Sequence, residues 1–423
     1  SRYAPYPLSV GSYVEEFNAT SATGFGSGTT AYSDGSIDRA QVCGVSEFKI
    51  AWSNNHQVTD VTGIEAFESL KVLDFFGGFP LTNKDIDLTN SPILELMNFD
   101  NSSIETINFN ALTSLHTISL PGNSLTALDL STNTALKYLD ISSPKDASTL
   151  ASLDLTNNTN LEELYFNKYT AISSGTTVTL NPLATVLMTG LSSLTDIRGD
   201  FASITNSNFV LTDCTALKDL RVPNCKLTAT LDLSQNTALE ILMFHNSPNI
   251  NASDSTYWDN GNKVTDIDVS NGSSITQLVC SNNKMTHITG IENHPLQMFN
   301  GSNDRLQGFW GPDGTYTYAH GTTYNNFTSL DLSGADFANG QCYVYNNPNL
   351  VSLDISGTDL FLLQAVNFNT MGCSASLQIK VGSGIVPGTT GGTGAGGQKT
   401  RVEYATGKYT TGFSISSGQT FIV

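Results

Sequence analysis

Apolar residues along the chain follow neither a long helical period nor plain strand alternation. They return instead in a short motif, LxxLxL. Clear copies start at Leu115 (LHTISLPGN), Leu125 (LTALDLSTN), Leu136 (LKYLDISSP), Leu150 (LASLDLTNN) and Leu161 (LEELYFNKY). Further copies start at Leu217, Leu239, Val264, Ile275, Leu296, Phe327 and Leu350. Leu115 to Leu136 and Ile275 to Leu296 are each 21 residues apart, and Leu217 to Leu239 is 22. Each period holds two halves, one ending in a variable strand and the other reading LDLSxN. In extended backbone, alternate side chains point to opposite sides, so the leucines face inward and the residues between them face solvent. One such coil cannot bury its own leucines, but a stack of coils makes a continuous core. The asparagine after the strand turns the chain, and its amide satisfies backbone groups inside the turn. Halves this short leave no room for a long helix, so short strands, turns or 3₁₀ pieces are expected on the back.

The segments TALDLSTNTALKYLDIS (126–142), TATLDLSQNTALEILMF (228–244) and ITQLVCSNNKMTHITGIEN (275–293) resemble the leucine-rich repeat family. The likeness is to its short bacterial form, whose halves alternate as LxxLxCSNNxLTxLDLSxNTAL, with Cys280 at the small core position. The resemblance implies a β-rich repeat solenoid, a right-handed superhelix with a parallel β-sheet on its concave face; the short halves add the expectation of few helices, and the two ends that of β-rich caps. It also implies a secreted or surface-displayed protein that binds proteins or glycans.

The repeat is expected over 58–381. Residues 1–57 carry no repeat and are rich in Gly, Ser, Thr and Tyr, which suits a cap over the first coil or an attachment module. Residues 382–398 (GSGIVPGTTGGTGAGGQ) read as a Gly-rich linker, and 399–423 as a C-terminal β cap. Two insertions, 248–262 and 303–326, break the period. The second concentrates Phe309, Trp310, Tyr316, Tyr318, His320 and Tyr324. Such aromatics serve either to pin the loop to the solenoid's flank or to form a contact surface. The start at Ser1 has no apolar leader run, which leaves a removed methionine, a cleaved signal or a cut tag equally open.

Composition narrows the function. The 423 residues include 38 acidic and 19 basic side chains, a net charge of −19, with only 13% charged. An acidic chain without Lys/Arg clusters disfavours nucleic acid and anionic lipid as partners. It has no apolar run long enough for direct membrane insertion. The surface is made of Asn, Ser, Thr and Gly, which suits a protein working outside the cell. The six cysteines form no CxxC pair and the six histidines no metal spacing, so no metal, cofactor or catalytic group is expected. Cys214 and Cys225 either bridge or fill core slots separately. The register places Tyr138, Glu163, Asp196, Asp219, Ile241, Gln277 and Met298 in one outward column of the concave sheet. A second holds Asp140, Tyr165, Arg198, Arg221, Met243, Val279 and Asn300, with His245 beyond it. Tyr and Arg are common interface anchors, and unsupported apolar residues such as Ile241, Met243 and Val279 suggest a partner. The expected binding set is therefore Tyr138, Asp140, Glu163, Tyr165, Arg198, Arg221, Met243, His245, Met298 and Asn300, with Phe309, Trp310, Tyr316, Tyr318 and Tyr324 of the insertion. The function expected is non-enzymatic recognition or adhesion, with a protein or carbohydrate partner on a cell surface. A virion or surface-assembly component, self-assembly included, is the alternative.

Overall fold

A computed structural model describes residues 44–51, 61, 64–78, 81–82, 84–168, 180–246, 261–272, 275–303, 309–310, 316–317, 325–337, 340–358, 368–382, 385–394, 397–404, 413–415 and 418–422. The chain divides into two compact units, Ser1–Phe166 and Asn167–Val423. Tyr318 and Tyr324 of the aromatic insertion, His320 and nearly all of the N-terminal stretch lie outside the described residues.

In the first unit the front of the coils is a parallel sheet of Glu47–Ala51, Val72–Phe76, Leu96–Phe99, Thr117–Ser119, Tyr138–Asp140 and Glu163–Tyr165. The central residue of each three-residue strand points inward. Leu73, Met97, Ile118, Leu139 and Leu164 form a column with no exposed surface. Phe75 stacks on Phe99 with ring centres 4.6 Å apart, continuing the core beneath the turn.

The second unit repeats the plan. Asp196–Arg198, Asp219–Arg221, Ile241–Met243, Gln277–Val279, Met298–Asn300, Gln341–Tyr343 and Phe368–Asn369 pair in parallel. Their inward column is Ile197, Leu220, Leu242, Leu278, Phe299, Cys342 and Phe368, all fully buried. The back carries short parallel strands, Thr228–Asp232 with Lys263–Asp268 and His287–Thr289. A second back sheet runs Ser329–Asp331, Ser352–Asp354, Gln378–Lys380 and Thr420–Ile422. The helical pieces among the described residues are single 3₁₀ turns, Ile64–Ala66 in the first unit and Asn206–Asn208 and Ile291–Asn293 in the second.

Both asparagine signatures have a mechanical meaning. On the back, the Asn of LDLSxN is buried and donates to the preceding coil. Asn236 Nδ2 reaches the carbonyls of Leu211 and Cys214 at 3.0 and 2.8 Å. Asn133 does the same to Phe109 and Leu112. The Asp of that motif closes an Asx turn: Asp129 Oδ1 accepts the Ser131 N–H at 3.0 Å, and this bond holds the carboxyl below its usual range.

At the front, each strand ends in a pair of turn residues. Asn282, left-handed at φ 58°, is followed by Asn283, whose Nδ2 bonds the Phe244 and Cys280 carbonyls. Asn346 and Asn347 repeat the arrangement. Both insertions split this pair. Asn246 and Asn262 bracket residues 247–261, and Asn303 and Asn325 bracket 304–324. In each case the first asparagine closes on the second through two bonds. Asn246 Oδ1 accepts the Asn262 N–H and its Nδ2 donates to the Asn262 carbonyl, both 2.8 Å. The Asn303–Asn325 bonds are 2.7 and 3.0 Å. The second asparagine then resumes the usual work: Asn262 Nδ2 meets the Val222 and Phe244 carbonyls, and Asn325 Nδ2 those of Cys280 and Gly301. Within the longer insertion, Phe309–Trp310 and Tyr316–Thr317 form an antiparallel ladder.

One difference from the sequence reading concerns the C-terminal region. Ile385–Gly394, in the stretch expected to be a linker, is a strand paired antiparallel with Gly397–Tyr404. That partner pairs in turn with Phe413–Ile415. Ile385, Val386 and the threonines of this stretch favour extended backbone, and pairing on both sides of the hairpin outweighs the entropy of its glycines. Cys214 and Cys225 are separate buried thiols, as are Cys280, Cys342 and Cys373.

Candidate functional site

In the second unit Asp196, Asp219, Ile241, Gln277 and Met298 sit side by side, as do Arg198, Arg221, Met243, Val279 and Asn300. The alternation that sends Leu220 and Leu242 inward sends these side chains outward.

The residues at the start of this row form ionic pairs along their own strands. Arg198 Nε and Nη2 donate to the two oxygens of Asp196 at 3.0 and 2.8 Å. Arg221 holds Asp219 in the same forked way, both bonds 2.7 Å. Across the strands Arg198 Nη2 lies 3.9 Å from Asp219 Oδ2. Each guanidinium is fixed in plane by its carboxylate, so it is presented with little freedom left to lose. Burial still pushes the Asp196 carboxyl up, against the pull of Arg198. Beside this neutralised quartet come Ile241, Met243 and Met298, all half-buried. Val279, expected to be exposed, is only 6% accessible, because Met243 and Asn300 flank it on the neighbouring strands.

At the ends of these strands two groups are displaced from ordinary acidity. Burial lifts Asp200 to about 7, although Asn224 Nδ2 donates to it at 2.9 Å. Burial lowers His245 to about 4. Its Nδ1 has no hydrogen-bond partner among the described residues, so His245 is a neutral, desolvated ring rather than a charged contact.

In the first unit Tyr138 and Asp140 lie beside Glu163 and Tyr165. Tyr165 donates its hydroxyl to Glu163 Oε2 at 2.6 Å, and its ring meets Tyr138 edge-on at 5.4 Å. Tyr138, expected as a contact residue, is 7% accessible; the aromatic neighbour covers it. Asp140 Oδ1 accepts the Ser142 N–H at 2.8 Å. Burial, with the charge of Asp100 adding to it, pushes the Asp140 carboxyl up.

Sequence reasoning missed the far end of the second unit's row. Gln341, Tyr343 and Asn369 continue the columns past Met298 and Asn300. The coil of Gln341 and Tyr343 (QCYVYNNPNL) has cysteine and valine where leucines were sought. The pair Asn346-Asn347, equivalent to Asn282-Asn283, was the signal that could have placed it.

Among the described residues no group of His, Cys, Asp or Glu is arranged to hold a metal ion. Burial pushes the Cys214 and Cys373 thiols up to about 12, which removes them as nucleophiles at neutral pH. Among the same residues no helix is long and apolar enough to cross a membrane.

No family model matches the chain, and no curated protein matches it. Solved structures to which it is similar include the functional domain of InlJ from Listeria monocytogenes, at 18% identity over 91% of this chain and 92% of that one, with a TM-score of 0.46. An internalin (inlF) of Listeria monocytogenes str. 4b F2365 is 15% identical over 82% and 83%, with a TM-score of 0.36. The Drosophila Toll–Spatzle complex gives 17% identity over 75% of this chain and 45% of that one, with a TM-score of 0.37. With its recurring LxxLxL halves folded into stacked parallel coils and closed by asparagine turns, the chain has the fold of a leucine-rich repeat solenoid.

Proposed function

We propose that the chain is a non-enzymatic recognition protein working outside the cell, and that it binds a protein partner on the front sheet of its second unit. The observation that carries this reading is the Arg198–Asp196 and Arg221–Asp219 quartet beside Ile241, Met243 and Met298. Immobilised guanidiniums next to flexible apolar side chains are the composition of an interface centre. Their binding energy is not spent on ordering the arginines. The low-charge surface of Asn, Ser, Thr and Gly supports an extracellular setting. Both insertions leave the coils at the ends of Ile241–Met243 and Met298–Asn300, at the edge of this patch, and the aromatic one supplies further contacts in this reading.

The test is a screen of the full chain against an array of purified extracellular ectodomains, followed by affinity measurement on any hit. Arg221→Ala and Met243→Ala should each weaken binding by about 1–2 kcal/mol. Val351→Ala, on an exposed position of the back, should change nothing. Hits that keep full affinity in both front variants would place the contact elsewhere.

A further inference from the structure

At the far end of the same row, the second unit presents a cluster of different chemistry. Asn300, Tyr343 and Asn369 stand side by side on three adjacent strands, with the tyrosine in the middle. All three side chains are half-buried. Asn300 Oδ1 is taken by the Ser302 N–H at 3.1 Å and the Ser302 hydroxyl at 2.6 Å. Asn369 Oδ1 is taken by the Met371 N–H at 2.9 Å. Each carboxamide is therefore tied to its own strand end by its oxygen. Neither Nδ2 meets an acceptor among the described residues. The two amide groups are two strand spacings apart, about 10 Å, with the Tyr343 ring between them. That ring is held from one side by the edge of Tyr345, 6.4 Å centre to centre at 66°. The other described outward side chains of these three strands, Met298 and Gln341, carry no charge.

We propose that Asn300, Tyr343 and Asn369 form a subsite for a neutral hexopyranose of a glycan. An aromatic ring offers the apolar face on which the C–H side of a pyranose packs. Two amide donors fixed on either side meet ring hydroxyls, which accept hydrogen bonds without bringing charge. The described outward residues of these three strands carry no ionic side chain, which favours an uncharged ligand over a phosphorylated, sulfated or cationic one. The subsite does not rest on the protein-binding reading, since it uses none of the quartet, Ile241 or Met243.

The experiment is calorimetric titration of the full chain with soluble maltohexaose, cellohexaose, mannohexaose and a galactose oligomer. A sulfated heparin hexasaccharide and an uncharged Ser/Gly peptide serve as comparison ligands. At least one neutral oligosaccharide should bind saturably and more tightly than either comparison ligand. Tyr343→Ala should weaken it about tenfold or more, roughly 1.4 kcal/mol, while Tyr343→Phe, which keeps the ring face, should stay within about threefold. Asn300→Ala and Asn369→Ala should each weaken it severalfold, and Arg221→Ala should leave it unchanged. Melting curves of each variant establish that it is folded. Four results would overturn the subsite: no saturable binding across the neutral panel, tighter binding of the sulfated sugar, binding of the peptide instead, or indifference to Tyr343→Ala in a folded variant. Loss with Arg221→Ala but not Tyr343→Ala would place the glycan on the protein-binding patch instead.

Discussion

Truncating Leu242 to alanine tests the coil-stacking account where it is most exposed to error. Leu242 is fully buried and lies in register between Leu220 and Leu278, themselves fully buried. The change removes three carbon groups, worth about 0.8 kcal/mol each in transfer alone, or about 2.4 kcal/mol together. The void cannot close cheaply, because Ile241–Met243 is bonded to a strand on each side and neither can slide inward without breaking its ladder. The residual cavity raises the cost to about 3–4 kcal/mol, inside the usual range for buried leucines. Ile241→Ala is the internal control, since it sits on the same strand, faces outward and should cost about 1 kcal/mol or less. Urea unfolding followed by circular dichroism gives both numbers. Amide exchange should show lost protection spreading to the strands carrying Leu220 and Leu278, as nearest-neighbour coupling requires. Equal midpoint shifts for the two variants, or a Leu242→Ala cost below about 1 kcal/mol, would refute the inward-outward assignment.

Two further outcomes follow from buried polar groups. Asp200 is raised from 3.8 to about 7 by burial, so the folded state holds its proton more tightly than the unfolded chain. Its stabilising contribution is complete below about pH 4 and is lost as pH rises towards 7. Asp200→Asn should flatten that fall in a series of melting temperatures from pH 4 to 8; an unchanged slope would contradict the assignment. His245, lowered to about 4, acts in the opposite sense between pH 6.5 and 4, so the series is best repeated in His245→Gln. Asn325→Ala should cost about 3 kcal/mol by urea unfolding, because it strands the Cys280 and Gly301 carbonyls and the Met285 N–H. Asn293→Ala, on an exposed residue, should stay within about 0.5 kcal/mol. Equal effects would deny that the Asn325 side chain ties its turn to the neighbouring coils.

Much of this architecture was legible in the sequence because the repeat is periodic and the period fixes which side each residue takes. Leu220 and Leu242 inward and Arg221 and Met243 outward both follow from spacing. Contacts between neighbours were less legible. Spacing puts Tyr138 and Val279 on the outer face, but only the packed sheet shows Tyr165 covering one and Met243 with Asn300 flanking the other. Asp-x-Arg reads as two solvated charges until the strand brings them within forked hydrogen-bond distance. The Tyr343 coil was overlooked because cysteine and valine fill its core as well as leucine does.

The split asparagine pair has a consequence for how such a protein changes over generations. Since the side chains of Asn246 and Asn303 close on the backbones of Asn262 and Asn325, the coil does not register how many residues run between them. Lengthening a loop already closed at its base costs little, about 0.6 kcal/mol per doubling. A lineage can therefore add, shorten or exchange these segments by recombination while the leucine stack beneath them goes untouched. The same joint offers a protein engineer a ready socket for a foreign peptide, provided the graft begins and ends on an asparagine.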